Sequence, residues 1–477
     1  MTLSKTSLRN NFSIELQPTQ AWVAILGFTI PTTLCLLIRF SGVLQVAFPV
    51  GAFLVGLFLY LRYPILYLGF NWWVWFLSPF ISRLVEYQNG VTDQSFRLII
   101  LSPYLVTTCT AIGFFRHLPR LSKREGLPFL LAFVSLFYAL LIGLAQGNSL
   151  VRVIQGVLSW IPGIFLGFHF LINWREYPVY RQNTQRVFYW GVLVMGIYGV
   201  VQYVVAPEWD TFWLTNAENL QLCCGWPEPF MIRVWSTLNY PFTFGYAMMA
   251  CLLVLFSRQN EASVPAIVAG LLSFLLSQIR GAWLGFSIGL IIFLISLNSR
   301  LKLRLIITIV AIITVLVPLV SLTPLSDVIG TRILSISDIE GDGSAAERQE
   351  IYIMLFNRVV GEFIGTGMGG AGIIDAGLLD ALSILGWFGL LFYMSGVGIL
   401  FYSLFTYTEV RFDPFMNAAR SIVVSIFVTF PFNNPMLLLP GLLFWGFGGI
   451  VIAAHKFHQY QHQQSLESHD LTKRLSC

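Results

Sequence analysis

Charge is what this chain has least of. Asp, Glu, Lys and Arg make up 11% of its 477 residues, against about a quarter in a soluble domain. That shortfall excludes a water-soluble enzyme, a nucleic-acid binder and a disordered linker. Cysteine is also sparse, with six residues and no C-x-x-C or paired Cys/His spacing, which excludes the common metal-binding patterns. Alternating segments of about ten residues are missing too, so the chain is not an outer-membrane β-barrel.

What is there is apolar. Hydrophobic residues are 56% of the chain, with 40 Gly and 41 Phe, and the mean hydropathy is +0.74. Small residues let helices approach closely in lipid, and aromatics fill the space between tails. Fourteen apolar segments of near-spanning length run from 21–40 to 435–453. They predict an all-α polytopic bundle of about 12–14 spans. Residues 21–453 are then the membrane domain, between a short segment 1–20 and a tail 454–477. The first span is too long for a secretory h-region and is expected to be a retained signal anchor.

Charge sorts by loop. Arg116, Arg120, Lys123 and Arg124 share one loop, Arg175, Arg181 and Arg186 the next basic one, and Arg300, Lys302 and Arg304 a third. All three fall on one side when spans alternate, and the positive-inside rule makes that side cytoplasmic, with both termini. The long loops 207–236 and 323–376 fall outside, holding twelve acidic residues against four basic. Cys223 and Cys224 also lie there, and two free or externally paired thiols are favoured over a strained vicinal disulfide.

Loop 323–376 carries several signals. Ser344-Ala-Ala-Glu347 is a capping box, and Ile351, Leu355 and Val359 follow at helical spacing, predicting an amphipathic helix on the outer interface. Arg348 sits on its apolar stripe. Two readings stay open for it: snorkelling to lipid phosphate, or binding an anion beside the helix start. Gly365-Thr-Gly367-Met-Gly369-Gly370 matches G-x-G-x-x-G formally, but without a preceding strand it reads as a tight, backbone-exposed turn. Asp338-Ile-Glu340-Gly-Asp342-Gly343 begins like a calcium loop and then places Gln349 where the bidentate Glu is required, so it reads as a solvated acidic loop.

Arg280 interrupts a long apolar stretch at Ser277-Gln-Ile-Arg280-Gly281, as the tip of a tight helical hairpin facing out. Alone, such an Arg snorkels. Arg233, Arg280 and Arg348 together put three guanidinium forks on an otherwise acidic face, a pattern suited to a diphosphate. No histidine falls outside: His117, His455, His458, His462 and His469 are expected to be cytoplasmic and His169 near the inner end of its span. An outer base must then be a carboxylate or the substrate itself. Asp375 and Asp380 bracket the start of the twelfth span, and Asp380 should lie about one turn inside the apolar zone. The tail histidines are expected in a solvated, flexible end rather than a metal site.

Three segments resemble the bacterial O-antigen ligase and O-antigen polymerase superfamily. They are Arg233-Val-Trp-Ser-Thr-Leu-Asn239-Tyr-Pro241, Ser277-Gln-Ile-Arg280-Gly281-Ala-Trp-Leu-Gly285, and Glu347-Arg348 through the glycine run to Leu385-Gly386-Trp-Phe-Gly389. The resemblance implies a GT-C-like bundle at the outer face of a bacterial inner membrane. It implies transfer of a glycan from a polyprenyl diphosphate carrier to an acceptor glycan or lipid, without a metal or other cofactor. Arg280 and Arg348 would hold the diphosphate, with Arg233 at its entrance and Asn239 and Asp380 lining the substrate. Ligases of the family carry a His before the following span. Here that region reads Gly-Ile-Ile-Asp375-Ala-Gly, which favours a polymerase with Asp375 as the base. The alternative is a small-anion, bicarbonate-like transporter, which should show broken polar helices and charges near the midplane.

Overall fold

A computed structural model describes residues 19–90, 97–121, 123–216, 223–258, 264–320, 352–353, 356, 359–361, 363–370, 376–406 and 413–475. Helix makes up 82% of the described residues, and no strand occurs among them. The helices are α1 (Thr19–Leu37), α2 (Leu44–Arg62), α3 (Pro64–Asn89), a broken α4 (Leu98–Arg116), α5 (Leu127–Ala145), α6 (Leu150–Ile172) and α7 (Tyr177–Val205). They continue as α8 (Glu208–Asn216), α9 (Pro241–Phe256), α10 (Val264–Leu276), α11 (Arg280–Ser296), α12 (Ser299–Val320), α13 (Gly377–Thr406), α14 (Pro414–Val428) and α15 (Leu438–Leu475). Each expected apolar segment falls on one of them. Nine of the helices among the described residues are long and apolar enough to cross a membrane, so this is a multi-pass, all-α bundle.

Local sequence sets the ends. Proline within the first two positions starts α3, α5, α7, α9 and α14, where its missing N–H costs nothing. Gly90, at φ 65°, closes α3 in the left-handed cap. The Asp413 carboxylate accepts from the Phe415 and Met416 backbone N–H groups and caps α14.

Depth in the bundle is not set by hydropathy, which is 1.7 for the membrane-length part of α15 and 1.6 for α1. The membrane-length part of α15 is 94% buried and that of α1 only 6%, so α15 is central and α1 peripheral. α9 is enclosed on all sides from Phe244 to Leu255. α15 runs along α6, α13 along α5, α10 along α7 and α11 along α14. On the α6–α15 seam Gly167 and Gly449 bring the two backbones into direct contact, and a Cβ on either would collide with the other helix. α9, α10, α11 and α14 are short, at 16, 13, 17 and 15 residues. Thirteen residues rise about 20 Å, against a hydrocarbon thickness of about 30 Å. Such a helix falls short of the full hydrocarbon thickness on its own.

The bundle has two unlike ends. Segments 206–216, 223–240, 277–279 and 429–437 gather at one, and the basic loops around Arg120, Arg175 and Arg300 at the other. The tail after 454, expected to be a solvated and flexible end, is exposed over 459–467 but helical. α15 continues unbroken to Leu475, because the first part of the extension has partners: Lys456 pairs with Glu125, His458 Nε2 lies 3.2 Å from Asp413, and Tyr460 meets the Trp174 ring edge-on. The acidic 338–343 segment, the Ser344–Glu347 capping box, Ile351 and Leu355 lie outside the described residues. Val359, the last residue of that predicted stripe, is helical and buried.

Candidate functional site

The segment entering α9 is held by polar groups that are themselves dry. Gly225 and Ile232 form an isolated antiparallel bridge, and Arg233 N–H donates to Cys224 O at 2.9 Å. One residue on, Val234 N–H donates to Leu276 O at 3.0 Å. The Gln202 side-chain oxygen then accepts from both Trp235 N–H and Ser236 N–H, at 3.0 and 2.8 Å. Ser236 adopts a φ of 52°, which turns its carbonyl toward α3. There Arg83 donates to Ser236 O at 2.6 Å, to Leu238 O, and to the Asn239 side-chain oxygen at 3.3 Å.

Arg83 is fully buried and pairs with an equally buried Asp210 at 3.0 Å. Asp210 also accepts from Tyr198 OH at 2.7 Å and Gln202 Nε2 at 2.9 Å. The rings of Phe80, Trp213 and Trp235 surround the guanidinium at 5.7 to 5.9 Å. A charge pair out of water survives only when its remaining donors and acceptors are satisfied. The fork of Arg83 does this by taking the carbonyls of the 236–238 turn. None of Arg83, Asp210 or Gln202 stands out in the sequence as a site residue.

The second motif meets the first. α10 ends at Leu276, Gln278 turns at φ 57°, and Arg280 opens α11 three residues after Ser277. The N-cap residue of α11 is Ile279, whose side chain makes no cap bond, and the helix start carries the positive end of the helix dipole. On α9, Gly245 faces Ile279 and Ala282 across 3.1 to 3.4 Å from the position a Cβ would take. The Val234–Leu276 bond therefore ties the Arg233 segment to the very turn that carries Arg280. Arg233 is half-buried, and its Nη1 donates to Cys223 O at 3.3 Å. Burial lowers its pKa from the ordinary value; the neighbouring cysteines oppose this and the Arg280 charge adds to it. The two guanidiniums thus share one electrostatic neighbourhood.

Asp380 joins the same cluster through the 429–437 turn. It is buried and accepts from Asn434 Nδ2. Gly377 packs on the Phe430 and Asn433 carbonyls, and Asn433 Nδ2 lies beside Gly281 in the first turn of α11. Tyr352 OH reaches the same turn at Pro431 O. Asn239, expected to line the substrate, is buried with its side-chain oxygen on Arg83. Asp375 and Arg348 lie outside the described residues. Among the expected site residues, the structure thus gathers Arg233, Arg280, Asn239 and Asp380 at one end of the bundle.

The glycine run is a tight turn, as expected, but its backbone is not exposed. Gly365, Gly367 and Gly369 all have positive φ. Gln146 Nε2 donates to Gly365 O at 2.8 Å, Asn148 Nδ2 to Thr366 O and Met368 O at 3.0 and 3.1 Å, and Met368 N–H to Ala139 O. The turn is wedged between the α5–α6 corner and α13. α13 itself breaks at Gly386, at φ 63° and ψ 177°. The break separates the buried Asp380 turn from the apolar part that follows. A Cβ on Gly365 would meet the Gly386 backbone, and one on Gly386 the Ile364 carbonyl.

No group of three or more His, Cys, Asp or Glu residues that could hold a metal ion occurs among the described residues. Compared with known proteins, the chain matches no family model, no curated protein and no solved structure.

Proposed function

We propose that this chain is a membrane glycosyltransferase. It would move a glycan from a polyprenyl diphosphate carrier to an acceptor hydroxyl at the outer face of a bacterial inner membrane, as a polymerase rather than a ligase. The observation that carries the reading is the Val234–Leu276 bond, which joins the Arg233 and Arg280 motifs beside the start of α11. The end bearing these residues would face outward and the basic loops, with both termini, the cytoplasm.

The chemistry follows from charge. As the acceptor oxygen bonds to the anomeric carbon, the bond from that carbon to the phosphate oxygen breaks and negative charge grows on the diphosphate. Arg233 and Arg280, with the first N–H groups of α11, oppose that charge in a site of low dielectric. Arg348 would add a third fork, and Asp375 would take the acceptor's proton. Asp380 would act through Asn434, shaping the 429–437 turn beside Arg280. The transporter alternative draws less support, because Arg83–Asp210 and Arg97–Glu86 sit at one end of the bundle and Arg181–Asp413 and Lys456–Glu125 at the other.

The test is the glycan profile of cells with and without the gene. Loss of long chains with single repeats kept on the acceptor is the expected result. Full-length glycan left on its carrier would make the chain a ligase, and an unchanged profile would end the enzyme reading. Asp375→Asn should abolish transfer while carrier binding persists, whereas normal turnover by that variant would remove Asp375 as the base.

A further inference from the structure

Arg233 is held by two consecutive carbonyls, and both belong to cysteines. Its backbone N–H donates to Cys224 O at 2.9 Å and its guanidinium to Cys223 O at 3.3 Å. The two sulfur atoms stand 2.7 Å apart, inside ordinary non-bonded contact. Cys223 is exposed, while Cys224 is buried among Trp213, Leu214, Ile232 and Trp235. We propose that Cys223 and Cys224 form a reversible oxidation site, whose closure into a vicinal disulfide re-aims the carbonyl that positions the Arg233 guanidinium.

The coupling is chemical. In a ring closed between adjacent cysteines, the peptide bond between them is part of the ring, and the Cys223 carbonyl is the carbonyl of that peptide. Adjacent Cα atoms stand about 3.8 Å apart across a trans peptide, below the roughly 4.4–6.8 Å a relaxed disulfide needs. Closure must therefore turn the peptide plane, and with it the Cys223 oxygen. The same mismatch makes the ring easily reduced, which suits a switch and not a structural bridge.

The step balances as thiol–disulfide exchange with a small-molecule or protein disulfide as oxidant. The Cys223 thiolate attacks one sulfur of that disulfide and expels the other as a thiol. The Cys224 thiolate then attacks Cys223 and expels the second. Two thiols are oxidised, one external disulfide is reduced, and the two protons pass to the released thiols. The hydrogen bond from Cys224 holds the Cys223 thiol below its ordinary pKa; burial opposes this and the Arg233 charge assists it. The bond to Cys223, followed by burial, pushes Cys224 up. The exposed residue is thus the nucleophile and the buried one resolves. The regulatory consequence rests on the role proposed for Arg233, whereas the thiol chemistry does not.

The full-length protein in detergent would be treated with oxidised glutathione, alkylated, digested and mapped by mass spectrometry. Both cysteines should lose alkylation together, with no glutathione adduct, and dithiothreitol should restore both. A lasting adduct on Cys223 with Cys224 still alkylated, or two thiols that never become protected, would overturn the proposal. In parallel, phenylglyoxal modification of Arg233 should speed up several-fold on oxidation relative to Arg280, and should be insensitive to oxidant in Cys223→Ser. An unchanged Arg233 rate with the disulfide formed would overturn the link to the guanidinium. Protection of Arg233 and Arg280 by inorganic diphosphate in the reduced protein tests the anion site separately. Its absence would count against the transferase reading and leave the thiol result standing.

Discussion

Asp210 and Asp413 are both buried carboxylates facing an arginine, one at each end of the bundle, and they are built differently. Asp210 has a fully enclosed Arg83 at 3.0 Å and two neutral donors. Asp413 has Tyr177 OH at 2.6 Å, His458 at 3.2 Å, two backbone N–H groups, and an Arg181 that is 37% exposed at 3.5 Å. The first pair is cut off from water and fixes the geometry of the 236–239 turn. The second is wet on one side, so its charge is tuned by its neighbours and screened by solvent. Burial thus makes one carboxylate a scaffold and leaves the other a cap that titrates.

The sharpest way to break that contrast is Arg83→Met, which strands a buried anion. It should destabilise the fold by about 3–5 kcal/mol, read as a lowered Tm in detergent. Arg83→Met with Asp210→Leu should recover part of the loss, and a double variant no better than the single would mean that Asp210 is hydrated. Next comes Arg280→Lys, which keeps the charge and loses the fork. Transfer should fall at least about tenfold, roughly 1.4 kcal/mol of barrier, with expression unchanged. Near-normal activity would return Arg280 to a lipid-facing role.

At the other end the effects shrink. Asp413→Ala removes the α14 cap and should cost about 1–2 kcal/mol at neutral pH. Burial alone would raise the Asp413 pKa, but His458, Tyr177, Arg181 and the Met416 N–H together hold it below its ordinary value. Its contribution is therefore complete above about pH 4 and is lost as pH falls through the lower folded value. The Tm gap between wild type and Asp413→Ala should close on acidification in that window and stay constant above it. Smallest of all, Arg181→Ala should cost under about 1 kcal/mol. A larger loss would mean that the wet pair behaves like the dry one.

The spans were legible because each needs only apolar length, and α10 and α11 are visible as two helices from Ser277-Gln-Ile-Arg280 alone. The meeting of Arg233 and Arg280 was legible only as a shared side; the Val234–Leu276 bond that joins them is a backbone contact between distant segments and leaves no residue signature. Arg83 was missed for a physical reason. Hydropathy ends the third span at 81, whereas the helix continues to Asn89 and stops at Gly90; the Asn-Gly stop signal was in the sequence and would have put Arg83 inside a helix. Solvation of the tail was legible in its polar composition, and 459–467 are exposed; its helical form was not, because Lys456, His458 and Tyr460 find partners on other loops.

The crossing of the glycine turn over α13 has a consequence for genetics. An enlarged side chain in a core can be forgiven by a smaller one opposite. At Gly365 and Gly386 the opposing surface is main chain, which has the same bulk in every residue. A strain carrying Gly386→Ala therefore has no small-for-large suppressor open to it at 364 or 365, and at φ 63°, ψ 177° the alanine itself is disfavoured. Revertants of that lesion should be almost entirely true reversions to glycine.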